Sequence, residues 1–389
     1  MVTGQVVRGH CDPAFRGVRE VFETQFAEGR NLGASVAVFA GGRPVVDLWG
    51  GIADARTGRE WEHDTPCLAF SCTKAVTATA ALLLAERGEV ALDRPVTDWW
   101  PEFGAHGKED VTGEQLLTHQ AGLPAFARKV SAEEAADPAA MAALLAGQAP
   151  EWTPGDGHGY HALTYGWLAG EIVRRTAGTT VGEFVRREFA PDLWIGASPE
   201  VMAKAAKLSA TGRPPSGATD PQPGRSSGAD LMTRLAEAYL DPGSPLNRAL
   251  NNPAASYNKP VVLRGGWPAA GMVATSRDLA AFYDSLISGR ILRKETLREG
   301  VRERVRGADK VLVVDSAFGL GFMRPAMTFL TPSAGRDGAF GHTGAGGGIG
   351  LGDPDKELAV AFIPNQMGGG MAGDRRSYEL VKAAYAAVS

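Results

Sequence analysis

The sequence predicts a mixed α/β (α+β) fold, with one antiparallel sheet built from both termini and flanked by helices, and a mostly helical domain inserted between them. Three observations predict it. Short β-rich runs lie near both ends of the chain, and helical periodicity dominates the middle. The two patterns do not alternate in the strand–helix–strand order of a doubly wound sheet. The expected partition is 1–90 and 300–389 for the sheet domain and 91–299 for the helical insert, with the functional site at their interface.

Taken in order, Phe15, Val18, Val21, Phe22 and Phe26 recur at helical spacing between Pro13 and Gly29. ASVAVFA and RPVVDLWGG then flank Gly41-Gly42 and read as a hairpin, because a tight two-residue turn needs positive φ at both positions. Ser71 to Gly88 is Ala/Leu-rich and ends on glycine, the pattern of a buried helix with its stop. From about Val111 to Gly289 apolar residues recur at helical spacing, as in LTYGWLAGEIVRRTAG and SRDLAAFYDSLISG. Leu208 to Gly228 is polar and rich in breakers, which predicts a long surface loop suited to a lid or wall. VLVVDS, FGLGFM, AFGHTGAG, GGIGLG and ELAVAFIP read as strands, and Ser377 to Val388 as a final helix.

Composition narrows the function classes. In 389 residues, 44% are apolar and the formal net charge is −4, so a large core is available and there is no polycationic face of the kind nucleic acid requires. Three cysteines, Cys11, Cys67 and Cys72, do not make a disulfide framework. The N-terminal stretch lacks an apolar run and no segment reaches membrane-spanning length, so a cytoplasmic protein without a membrane partner is expected. No H-E-x-x-H, paired Cys-x-x-Cys or EF-hand pattern is present, so neither metal nor cofactor is expected.

Ser71-Cys72-Thr73-Lys74 fits S-x-x-K. Residues three apart share a helix face, so the amine can reach the hydroxyl. A serine hydroxyl needs a nearby base, and a desolvated lysine can be one because burial lowers its pKa. The helix N-terminus adds free N–H groups that favour an oxyanion. A second match, Ser256-Tyr257-Asn258-Lys259, is followed by Pro260, which disfavours helical geometry at Lys259. Gly224-Arg225-Ser226-Ser227-Gly228 fits G-x-S-x-G, but the Pro-rich run before Ser226 offers no strand for a nucleophile elbow. A G-x-G-x-x-G match from Gly368 to Gly373 has no strand–helix–strand unit around it and reads as a loop.

Four stretches extend the signal beyond the tetrapeptide: DTPCLAFSCTKAVTATAALLLAERGEVALDRPV, TGEQLLTHQAGLP, WTPGDGHGYHALTYGWLAGEIVRRTAG and FGHTGAGGGIGLGDP. In order and separation, from about Gly33 to Asn365, they resemble the serine β-lactamase-like superfamily of class C β-lactamases and DD-peptidases. The chain looks most like the β-lactamase-like esterases called family VIII carboxylesterases. The resemblance implies Ser71 as nucleophile, with Lys74 and Tyr160 as its proton-transfer pair. Ser71 and Ala345 would supply the two oxyanion-hole N–H groups. The Tyr-x-Asn motif falls on Tyr160-His161-Ala162, and Lys-Thr-Gly on His342-Thr343-Gly344, so two polar positions of the β-lactam-processing relatives are changed. These departures lean the expectation to a small-molecule carboxylic ester cleaved through an acyl-enzyme, with His161, His342, Thr343 and Gly344 as substrate contacts.

A lysine cation beside Tyr160 is expected to lower the phenol pKa. Whether Lys74 or Tyr160 is the formal base stays open at this point, because coupled groups titrate as a pair. Cys72 reads as a buried filler and His119 as the cap of its helix, while Trp152 and Trp267 are candidates for a pocket wall. Three alternatives remain: a β-lactamase or D-amino peptide amidase, an acyltransferase to a non-water acceptor, and a catalytically inactive penicillin-binding-like sensor. Oligomeric state is left open.

Overall fold

The computed structural model describes residues 7–210, 226–368 and 374–388. Among these, seven strands form one antiparallel sheet. Its N-terminal half is β1 (Arg8–Cys11), β2 (Gly33–Ala40) and β3 (Arg43–Asp54), with Arg59–Glu60 paired to β3. Its C-terminal half is Phe340–Thr343, Ile349–Asp353 and Leu358–Pro364. The order runs β1, β3, β2, Leu358–Pro364, Ile349–Asp353, Phe340–Thr343, so β2 from one end of the chain pairs with the strand from the other. Gly41 and Gly42 close the β2–β3 hairpin at φ 56° and 76°.

Alternate residues of the central strands face two cores. Val36, Val38 and Phe362 pack against helix α1 (Arg16–Ala27) and the C-terminal helix Arg375–Ala386, with Phe22 edge-on to Phe362 at 6.4 Å. Ala37, Ala361 and Ile363 face the other way, onto helix α2 (Thr73–Glu86) and the helix Ser276–Ile287. Ser276 Oγ donates to Ser35 O at 2.8 Å, fastening that second helix to β2. The helix Ser276–Ile287 therefore belongs to the sheet layers, although the expected boundary at 299 assigned it to the insert.

The middle of the chain is helical, with a third apolar core around Trp100, Phe103, Trp167 and Trp267. Three short strands, Cys67–Leu68, Met272–Ala274 and Trp194–Ile195, tie this region to the approach of α2.

Two expectations are corrected. VLVVDS is not a strand from its first residue: 311–314 form a turn and the strand is Asp315–Phe318, because Asp309 Oδ1 captures the N–H groups of Val311 and Leu312 and curls the chain. Most of FGLGFM is likewise irregular. The helix of the G-x-S-x-G match begins at Ser226, while most of the Leu208–Gly228 loop and the part of the Gly368–Gly373 match after Gly368 fall on 211–225 and 369–373, outside the described residues. No helix among the described residues is long and apolar enough to cross a membrane.

Candidate active site

Ser71 sits in a single 3-10 turn, Phe70–Cys72, that runs directly into α2. Phe70 adopts φ 47°, a left-handed conformation that a bulky side chain rarely takes. Surrounding bonds hold it there. Ala69 N–H donates to Met272 O at 2.8 Å, Met272 N–H donates to Thr73 Oγ1 at 3.0 Å, and the Thr73 hydroxyl donates to Phe70 O. The turn aims Ser71 at a cavity of about 760 Å³, with Tyr160, Ala162, Thr343, Gly344 and Ala345 around it.

Lys74, one turn along, is fully buried. Its Nζ lies 3.1 Å from Ser71 Oγ, 2.7 Å from Ala162 O and 3.0 Å from Ala269 O. The approach to Ala269 depends on Gly166, where a Cβ would stand 2.4 Å from Ala269 N. No carboxylate among the described residues pairs with the amine, and burial holds its pKa well below the usual lysine range. A neutral amine has two N–H donors and one lone pair. The two carbonyls can take the donors, which leaves the lone pair for the Ser71 proton.

Tyr160 comes from the loop before helix Thr164–Ala177. Its ring stacks on Phe318 at 6.1 Å, and Lys74 Nζ lies 4.8 Å from its centre. Its N–H donates to Asp309 Oδ1 at 3.0 Å. Burial raises the phenol above the ordinary tyrosine value, and the Ser71 side chain offsets this only in part. The expectation of a lowered phenol pKa is thus overturned: desolvation disfavours the phenolate and outweighs the lowering by the Ser71 side chain.

His161 and His342 were expected to touch substrate, and neither lines the cavity. Both are fully buried. The His161 ring bonds to main chain on both sides, with Nδ1 to Gly159 O at 2.6 Å and Nε2 accepting Leu123 N–H at 2.9 Å. Burial pushes it down to about 4 and His342 down to about 3, so both are neutral buried rings near neutral pH. Thr343 and Gly344 do line the cavity. At Gly344 a Cβ would stand 2.6 Å from Ala69 O, so glycine is what lets the edge strand close on the Ser71 turn.

Ala345 opens a second 3-10 turn, Ala345–Gly347, and is exposed to the cavity. Ser71 is the middle residue of its 3-10 turn and Ala345 the first of its own, positions where an N–H has no acceptor within the turn.

Of the other singled-out residues, Cys72 is buried, with its thiol pushed up to about 12 by desolvation. His119 takes the left-handed position (φ 62°) just past helix Gly113–Leu117, and its Nδ1 accepts the His161 N–H at 3.1 Å. Trp267 is in the helical core and Trp152 stands edge-on to His161; neither lines the cavity. The sequence reading missed Asp309 and Ala269. An aspartate ahead of an Asx-type turn was the available signal for Asp309. A carbonyl such as that of Ala269 leaves no signal.

The remaining described lining is mostly apolar, including Leu163, Leu235, Tyr239, Leu312 and Met323. Asp374 is its one charged side chain among the described residues, and it is paired with Arg376 Nη2 at 2.8 Å.

The beta-lactamase family model matches residues 18–385. Esterase/beta-lactamase LipL of Mycobacterium tuberculosis is 32% identical over 392 aligned positions, covering 94% of this chain and 84% of that protein. A crystal structure of a family VIII carboxylesterase superposes with a TM-score of 0.86 at 31% identity, covering 98% of this chain and 100% of that one. A penicillin-binding protein homologue from Caulobacter crescentus superposes at 0.83 with 36% identity and the same coverage.

Proposed function

Since the chain belongs to the beta-lactamase family, we propose that it is a serine carboxylesterase that cleaves uncharged esters through an acyl-enzyme on Ser71. The observation that carries this reading is the buried Lys74 amine, 3.1 Å from Ser71 Oγ and held by two carbonyls instead of a carboxylate.

Ser71 Oγ attacks the ester carbonyl carbon as its proton passes to Lys74 Nζ. The oxyanion is held by the N–H groups of Ser71 and Ala345, donors fixed before charge develops and worth about 10²–10³ in rate each. The C–O bond to the alcohol breaks as Tyr160 gives that oxygen its phenol proton and takes one back from Lys74. Water then adds to the acyl-enzyme with its proton going to Lys74, which returns it to Ser71 Oγ as the acyl C–O bond breaks and the acid leaves.

Two features favour esters over β-lactams or peptide amides. Ala162 puts a methyl group where amide-processing relatives carry the Asn of Tyr-x-Asn, and His342 is a buried neutral ring where they carry a lysine. The apolar lining and the compensated Asp374 favour a substrate without charge.

The test is hydrolysis of p-nitrophenyl acetate and butyrate, with nitrocefin alongside, by wild type, Ser71→Ala and Ser226→Ala. Ester turnover lost only in Ser71→Ala, with slow or absent nitrocefin cleavage, supports the reading. Fast nitrocefin turnover moves it to β-lactams, and a folded wild type inert on both removes it.

A further inference from the structure

The C-terminal helix carries an arginine that is only 5% exposed, Arg376, and its contacts converge behind the Ala345 loop. Nε and Nη2 grip the Asp374 carboxylate at 3.0 and 2.8 Å. Nη1 donates to Arg30 O, Asn31 Oδ1 and Gln366 O, at 3.1, 3.2 and 3.1 Å. Nη2 also donates to Gly346 O, the carbonyl directly after Ala345. Gly368 N–H donates to that same oxygen at 3.1 Å.

The loop being held is glycine-rich and left-handed, with φ 80° at Gly346 and 103° at Gly347. Such a sequence has many accessible conformations, so its one productive shape needs support from outside. The loop closes on itself through Gly344 N–H to Gly348 O at 2.7 Å. Its back rests on the arginine: a Cβ at Gly347 would lie 2.6 Å from Arg376 Nη2 and 2.4 Å from Asp374 Oδ2.

We propose that Arg376 is a positioning residue for the oxyanion hole, fixing Gly346 and through it the direction of the Ala345 N–H. This rests on the acyl-enzyme reading above. A guanidinium suits the task because its planar fork can satisfy a carboxylate and several carbonyls in one fixed geometry, which a lysine ammonium cannot. An oxyanion donor acts only within about 2.7–3.1 Å of the developing charge, so a loop that wanders loses rate without losing substrate affinity.

The experiment compares Arg376→Lys and Arg376→Ala with wild type on p-nitrophenyl butyrate, with thermal melts and inhibition by an alkyl boronic acid that mimics the tetrahedral adduct. For Arg376→Ala, kcat falls by about 10- to 100-fold, with KM within about twofold of wild type. The boronic acid Ki rises in parallel with the loss in kcat/KM, and millimolar guanidinium restores part of the rate. Arg376→Lys, which keeps the charge, falls in between and carries the test if the alanine variant does not fold. The proposal is overturned if a folded variant keeps kcat within about twofold, or if KM alone rises while the boronic acid Ki is unmoved. If Ser71→Ala retains turnover, the ester reading falls and this proposal with it. If Ser71→Ala is dead and the Arg376 variants are not slowed, this proposal alone falls.

Discussion

Lys74 Nζ lies 3.1 Å from Ser71 Oγ, and its two other polar contacts are the main-chain carbonyls of Ala162 and Ala269. Carbonyls orient an amine without the full charge that would keep it protonated. Burial can therefore depress the lysine unopposed by a carboxylate.

The pH profile follows. On the proposed mechanism the base must be neutral, so kcat/KM should rise with pH through the folded pKa of Lys74, which burial places well below 10.5. The acid must be protonated, and burial keeps Tyr160 a phenol past pH 10. The expected profile on p-nitrophenyl butyrate, corrected for spontaneous hydrolysis, is an acidic limb followed by a plateau that extends to about pH 10. A rate still climbing with unit slope between pH 9 and 10 would mean that Lys74 titrates as an ordinary lysine.

Gly344→Ala tests the closeness of the edge strand to the Ser71 turn. Gly344 has φ −112°, which any residue adopts, so the substitution strains nothing by dihedral. The added methyl would instead meet Ala69 O at 2.6 Å and force the two segments apart. The variant is expected to fold and to lose about 10- to 100-fold in kcat. Wild-type kinetics would show that the approach does not matter to the chemistry.

Asp309 is the anchor for Tyr160. Its carboxylate accepts the N–H groups of Tyr160, Val311 and Leu312 and the Ser316 hydroxyl, at 3.0, 2.8, 2.8 and 2.7 Å. Asp309→Ala strands several buried donors, so a loss of roughly 2–4 kcal/mol in urea unfolding is expected. Because it also frees the Tyr160 backbone, the folded fraction should show reduced kcat. Asp309→Asn retains one acceptor oxygen and should lose less of both. Equal effects of the two would argue against this account.

Substrate charge gives a direct comparison. Methyl 4-acetoxybenzoate and 4-acetoxybenzoate differ by one carboxylate distal to the same acetyl ester. The described lining offers an apolar surface and one carboxylate, Asp374, so the neutral ester should be preferred by at least about tenfold in kcat/KM. Asp374→Asn should narrow that ratio by unmasking Arg376, and equal rates in wild type would remove charge as a selector.

The sequence by itself determined the layered fold and the approach of Lys74 to Ser71. Apolar period and breaker residues are local properties. They marked α1, the β2–β3 hairpin, the helix after Ser71 and the sheet shared by both termini. The S-x-x-K spacing brought Lys74 to Ser71 because both lie on one continuous turn. Only the tertiary structure decided the charge states. Tyr160 is a raised phenol, and His161 and His342 are neutral buried rings, because pKa depends on burial and on partners distant in sequence. It also decided the positioning contacts from Asp309, Ala269 and Arg376. These reach the site across long chain separations, through a carboxylate, a carbonyl and a guanidinium whose neighbours in sequence say nothing of what they will hold.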